Sequence, residues 1–323
     1  MPSRARRHRR ATTRLMVVLM AVTVLATGCS AERPAPVPTT VAPSAPSAEE
    51  LAAEAKVHAT ASAEAADAAL TALPGVADAT VRIRQATADQ PLPAIALVTF
   101  AGSTPTDQLR SGVTTIVDVL GSSGLALVHV ELQVEREQMT DVATWIGAAV
   151  GPNLAQEAQL WVDLIERSAA AWSVTVTHKD LDPLSVYALT EAYHEGTPTS
   201  GAVYLGIVDA CVQAGIDPSV TAMQAITTVQ VASWRSTPIP AALLAAAEQV
   251  DILDYVSLGG VTRGDNLTEV SFLGAQGATI TGSQQLALLG PLERDGFLTD
   301  DLTVKLFPDA GEPITVWPMA PPA

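Results

Sequence analysis

Lysine is nearly missing from this chain of 323 residues: Lys56, Lys179 and Lys305 are all it has. Acids outnumber bases, 34 Asp and Glu against 18 Lys and Arg. A nucleic-acid partner is excluded on that ground, since phosphate binding needs clustered Lys and Arg. Cysteine is rarer still, with Cys29 and Cys211 alone. Aromatic residues are 4% of the sequence, and Trp145, Trp161, Trp172, Trp234 and Trp317 are dispersed along it; burial is their default use. The apolar run near the start, Leu15 to Ala26, has twelve residues, short of the roughly 18 that span a bilayer. Signatures of common chemistries are missing as well. There is no Gly-x-Gly for a dinucleotide, no Gly-Lys-Ser/Thr phosphate loop and no His-Glu-x-x-His zinc helix. Neither a Gly-x-Ser-x-Gly elbow nor a Ser-x-x-Lys pair is present. No cofactor and no metal is expected from these residues, and no catalytic residue can be named from motif alone.

What the first thirty residues do contain is informative. Arg4, Arg6, Arg7, Arg9, Arg10 and Arg14 crowd the beginning, the short apolar run follows, and Ala26-Thr27-Gly28-Cys29 closes it. A basic segment, a short apolar segment and small residues in that order describe a cleaved signal rather than a membrane-spanning helix. The pattern resembles the signal sequence and lipobox of a bacterial lipoprotein. That resemblance implies cleavage after residue 28, lipidation of Cys29, and tethering to the extracytoplasmic face of the cell membrane. Two acyl chains would suffice for stable anchoring where one is marginal. Arg9-Arg10 is a twin arginine, but Ala11-Thr12-Thr13 follows it instead of apolar residues, so the general export route is expected. The alanine content and the preference for Arg over Lys suit a GC-rich genome such as that of an actinobacterium.

Removing residues 1–28 takes away six arginines and no acid, leaving 12 basic residues against 34 acidic ones and a formal charge of −22. Such a surface keeps an exported protein soluble and does not favour anionic headgroups. With Cys29 lipidated, Cys211 has no partner within the chain, so stability must come from packing. Residues 29–47 form a linker in which Pro34, Pro36, Pro38, Pro43 and Pro46 stand among Ala, Ser, Thr and Val. This composition cannot bury a core, and it would reach about 55 Å as polyproline II or about 25 Å as a coil. Residues 319–323 read as a short disordered tail.

Between linker and tail a pattern recurs. Thr104-Pro105-Thr106 begins a helix that Gly124 ends, and a strand follows over 127–134. Thr197-Pro198-Thr199 begins another, ended by Gly215 and followed by a Thr- and Val-rich strand over 219–231. Thr281 with Gln284, Gly296 and residues 302–306 repeat the order more weakly. Thr suits an N-cap and Pro the first turn, Thr281 and Gln284 fit a capping box, and glycine after the last turn takes the left-handed conformation. The glycines are 91 and 81 residues apart. Before each such helix stand another helix and two strands: helix 48–72 with strands 76–84 and 93–100; helix 153–168 with 172–178 and 184–189; helix 240–249 with 251–258 and 267–273. Segment 182–194 could equally be helical. The expected fold class is therefore α+β, with tandem small α-β-β-α-β modules in a ferredoxin-like arrangement, antiparallel sheets with helices on one face. The modules fall at 48–137, 138–236 and 237–318; one larger α+β domain is the alternative. Leu73-Pro74-Gly75-Val76 also resembles small envelope modules of the BON type over a short stretch.

The densest polar cluster comprises His178, Asp180, Glu191, His194 and Glu195. A histidine among carboxylates could act as a general base or as half of a metal site; it could equally be a polar turn before the Thr197 helix. Cys211 reads either as a nucleophile or as a small buried residue. Asp118 and Asp209, each six residues before a closing glycine, mark either a shared site or solvent-facing helix positions. Asp265-Asn266 reads as a hairpin turn. Together these features lead to a membrane-anchored envelope lipoprotein, non-enzymatic, that binds an envelope protein or a wall component. A wall-polymer hydrolase using carboxylates near 180–195, and a lipid or solute carrier, are the alternatives.

Overall fold

Ser47 opens the first element. Its hydroxyl accepts from Glu50 N at 3.2 Å while the Glu50 carboxylate accepts from Ser47 N at 2.7 Å. This reciprocal capping box starts α1 (Ala48–Thr71), and the bonds from Ser47 hold the Glu50 carboxyl below its ordinary range. Only the later turns of α1 are buried, through Ala63, Ala66 and Leu70; residues 48–58 are exposed. The computed structural model describes residues 47–84, 92–136, 139–168, 172–190, 198–227, 229–234, 238–248, 253–259, 269–274, 281–294, 296, 298, 302–307 and 314–317. The signal segment, Cys29, the linker up to Pro46 and the tail lie outside the described residues, and Ser47, the last linker residue expected from sequence, is the helix cap.

After α1 come β1 (Val76–Ile83) and β2 (Pro93–Ala101), and the α-β-β order then repeats five times. The units are α2 (Thr106–Ser122), β3 (Ala126–Glu135), β4 (Thr140–Ile146); α3 (Leu154–Ser168), β5 (Ser173–Lys179), β6 (Ser185–Leu189); α4 (Ser200–Gln213), β7 (Ala222–Ile226), β8 (Gln230–Trp234); α5 (Ala241–Glu248), β9 (Leu253–Gly259), β10 (Glu269–Gly274); and α6 (Gly282–Arg294), β11 (Thr303–Phe307), β12 (Ile314–Trp317). All twelve strands join one sheet in sequential order, β1 to β12. Strands within a unit pair antiparallel, and strands on either side of a helix pair parallel.

That alternation corrects the expected antiparallel, ferredoxin-like sheet: the class is mixed α/β and the sheet is mixed. The reason is geometric. Two strands joined without a helix pair by reversing the chain, whereas a crossover helix returns it to the end where it started, so its two flanking strands must be parallel. Each crossover also lands on the adjacent position, which gives sequential order instead of an interleaved one. The positive-φ glycines Gly75, Gly124, Gly215 and Gly296 (φ 69 to 81°) mark the underlying repeat. Gly75 to Gly296 is 221 residues, five periods of about 44. The 91- and 81-residue spacings were therefore double periods, because Ala169-Ala170-Ala171 and Gln249-Val250 stand where α3 and α5 would close on glycine. The boundary at 137/138 falls between the paired strands β3 and β4, and that at 236/237 between β8 and α5. Residues 47–323 form one compact unit.

Caps explain the helix limits. At the end of α4, Gly215 N donates to Val212 O (3.0 Å) and Ile216 N to Cys211 O (2.8 Å), a Schellman motif. Thr199, and not Thr197, caps α4 by accepting from Ala202 N. Pro105 takes the N-cap place of α2 with no side-chain bond, and Thr104 Oγ1 donates instead to Gly75 O at 3.1 Å. The Thr281–Gln284 box is present, with Thr281 N donating to Gln284 Oε1 at 2.8 Å. Segment 182–190 carries the strand β6, and residues 219–231 hold parts of two strands, β7 and β8.

One face of the sheet takes the helices. Val130, Leu132 and Val134 of β3, Ala143 and Trp145 of β4, and Val174 and Val176 of β5 are buried toward them. Each large aliphatic side chain so buried contributes roughly 1.5–3 kcal/mol. Consecutive helices pack side by side, and Gly112 of α2 admits the Phe100 ring, which a Cβ would approach to 2.9 Å. Buried polar groups tie neighbouring units. Asp141 (0% exposed) accepts from Arg136 Nε at 2.7 Å and Val174 N at 2.8 Å, while Arg136 also donates to Trp172 O at 3.1 Å.

Candidate functional site

Strands β4 and β5 run parallel and finish at the same end of the sheet, where Trp145 lies opposite His178. Helix α3 begins beside this end and lowers Glu157, in its first turn, onto both. The Trp145 indole donates to Glu157 Oε2 at 2.8 Å. His178 Nδ1 lies 3.0 and 2.9 Å from the two carboxylate oxygens. Glu157 is 4% exposed, yet its charge has two donors and a helix N-terminus to offset burial. A histidine held in this way through Nδ1 has a fixed ring orientation, and with its proton on Nδ1 the other nitrogen is a base.

Asp180 sits beside the pair without joining it. At φ 48° it occupies the left-handed region that Asp tolerates. Its backbone N donates to Ile146 O at 2.9 Å and its Oδ1 accepts from Ala148 N at 3.1 Å. The carboxylate thus closes the turn over the short 3-10 segment Gly147–Ala149, where Gly147 (φ 64°) leaves room that a Cβ would fill. Glu191, His194 and Glu195 lie outside the described residues, as does Asp265-Asn266. The chain leaves β6 at Leu189, paired with Ser173, at the opposite end of β5 from His178.

Cys211 is fully buried on α4, and burial pushes its thiol up to about 12, the signature of a packed and unreactive residue. Asp118 and Asp209 are exposed on the outer helical surface. Among the described residues, no group of three His, Cys, Asp or Glu side chains could hold a metal ion. A pocket of about 300 Å³ beside α2 is lined by Thr106, Asp107, Arg110, Ser111, Thr114 and Glu166. Arg110 there ion-pairs Asp163 and Glu166 of α3, and Asp163 above all raises its pKa, so the guanidinium ties the two helices together.

Glu157 escaped sequence reasoning. It lies in the apolar stripe Leu154, Ala158, Trp161, Leu164 of α3, and a carboxylate on such a stripe was the available signal. The second feature hidden from sequence is the sheet face opposite the helices. No described helix covers it, and it is built from alternate residues: Leu97 and Thr99 of β2, Glu131 and Gln133 of β3, Val142 and Thr144 of β4, Thr175 and Thr177 of β5, Tyr187 of β6, Gln224 of β7, Gln230 and Trp234 of β8. Rows run straight across it, such as Gln133–Val142–Thr175–Tyr187–Gln224–Ala232. Over β4 to β8 its only charged residue is Lys179, at the end of β5. No protein family, curated protein or solved structure matches the chain.

Proposed function

We propose that this chain is a lipid-anchored extracytoplasmic binding protein of the cell envelope, non-enzymatic, and that the face of its sheet left uncovered by the described helices is the binding surface. The observation that carries the reading is that face: twelve strands in one sheet, covered by the described helices on one side only and nearly uncharged across β4–β8 on an acidic molecule. Soluble sheets exposed to water on one side ordinarily carry polar and charged residues there. Depletion of charge around an exposed aromatic, here Trp234 with the half-buried Tyr187 nearby, is instead the mark of an interface core. The lipobox-like Cys29 and the proline-rich linker support the address. The exposed start of α1, residues 48–58, lengthens the spacer by about 16 Å. A partner in the envelope, protein or wall component, is held at the distance the spacer sets.

The test is crosslinking in intact cells, with photoreactive residues at positions 187 and 234 and a Cys29→Ala chain as the unanchored control. Adducts that form from these two positions, depend on the anchor, and do not form from exposed Leu181 would support the reading. Equal labelling from all three positions would refute it.

A further inference from the structure

We infer that the partner of the β4–β8 face is a neutral polysaccharide strand lying across the strands, an assignment that rests on the binding-surface reading above. The first argument is charge. With a formal charge of −22 beyond residue 28, the molecule repels polyanions, while the face itself offers a polycation no carboxylate between β4 and β8. An uncharged polymer meets neither obstacle.

The second argument is chemistry. Tyr187, Gln224, Gln230 and Trp234 lie together with Thr175 and Thr177. Amides both donate and accept, and hydroxyls do the same, which matches a ligand made of hydroxyl groups. Trp234 is 50% exposed and stands opposite the small side chain of Ala222. Tyr187 and Trp234 are two strands apart and two residues apart along them, about 12 Å by sheet geometry. Two flat apolar surfaces at that separation suit alternate sugar rings of one strand. Protein interface cores are depleted in Ser, yet Ser173 and Ser185 both sit on this face, partly exposed.

The third argument is shape. A ribbon of twelve strands is about 53 Å long, and a twist of about 20° per strand turns it steadily. A second copy could stay face to face over only about five strands, about 400 Å² per partner by strand spacing and length, well under the roughly 800 Å² of a standard interface. A thin linear chain can follow the twist.

The anchored chain, extracted in a zwitterionic detergent, is to be tested for co-sedimentation with protease-treated bacterial cell wall. In parallel it is assayed by tryptophan fluorescence against soluble neutral glucans, galactans, arabinans and mannans. Binding that survives 1 M salt, and falls about tenfold in Trp234→Ala and in Tyr187→Ala but not in Leu181→Ala, is the expected result; circular dichroism verifies that each variant is folded, and Gln224→Ala gives a third, milder variant. Binding unchanged in all three face variants overturns the assignment. Failure to bind any polysaccharide, with envelope-protein adducts still formed from positions 187 and 234 in cells, overturns the polysaccharide but leaves the binding surface standing. Failure of both assays removes the surface as well.

Discussion

Truncating Glu157 separates a structural strut from a catalytic pair. Removing the carboxylate strands the Trp145 indole N–H in a fully buried position, a cost of about 1–3 kcal/mol. His178, slightly open to water, loses its Nδ1 partner, and Glu157→Ala adds the loss of a packed methylene, about 0.8 kcal/mol. The sum is about 3 kcal/mol. Glu157→Gln keeps an oxygen for the indole and should lose only about 1 kcal/mol, and Glu157→Leu, which keeps volume but no acceptor, should fall between. Each unit of a sequential sheet touches mainly its neighbours, so the loss should be local. Backbone amides of β4 and β5 should exchange about a hundredfold faster in the Ala variant, since 1.4 kcal/mol is a factor of ten. Amides of β10 and β11 should hardly change. Hydrogen exchange read by mass spectrometry, alongside urea unfolding of a soluble form beginning at residue 30, measures both. A Gln variant more stable than the parent by over about 1 kcal/mol would refute the reasoning. It would mean that the carboxylate is held there at a cost to stability, as at catalytic sites.

Two further outcomes follow from the same structure. Gly147→Ala should lower the melting temperature several degrees more than Gly124→Ala: both have positive φ, but only at residue 147 does a Cβ overlap Asp180, with open space at Gly124. Equal shifts in a thermal melt would contradict the Asp180 turn. Burial raises the folded-state pKa of Cys211 to about 12 and raises that of Tyr204, while an unfolded thiol ionises near 8.5. The Cys211 contribution is therefore intact below about pH 8.5 and is lost as pH climbs toward 12. Cys211→Ala should flatten the alkaline decline in urea midpoint, and a thiol reagent that labelled the native chain rapidly at pH 8 would count against the burial.

Helix ends were legible because caps act within a few residues: the Thr281–Gln284 box and the glycines at 124, 215 and 296 stand where their spacing put them. Strands with clean alternation, such as residues 126–135, were legible for the same reason. The strands that escaped are instructive. β4 carries Asp141 and β8 carries Ser233 on the buried side, which spoils the apolar rhythm. Val174 N, 33 residues on, joins Arg136 in satisfying the first, and the Tyr204 hydroxyl, at 2.8 Å and 29 residues away, satisfies the second. Without β4 and β8, two α-β-β units read as one α-β-β-α-β module, and the period doubled.

Two of the five residues of the polar cluster lie among the described residues. His178 and Asp180 stand at one end of the sheet, but the group that engages the histidine is Glu157, 21 residues earlier on a helix, and Asp180 closes a turn.

The sequence by itself determined the local terms: where helices begin and stop, which strand residues share a face, the acidic balance, and the lipobox-like start that sets the expected address. Tertiary structure alone decided which strands are neighbours and in which direction they run. It alone joined the units into one sheet, and so it alone created the uncharged face. A period of two tells a side chain which side it is on, but not what lies across from it; that is set by the crossover helices and the register they impose.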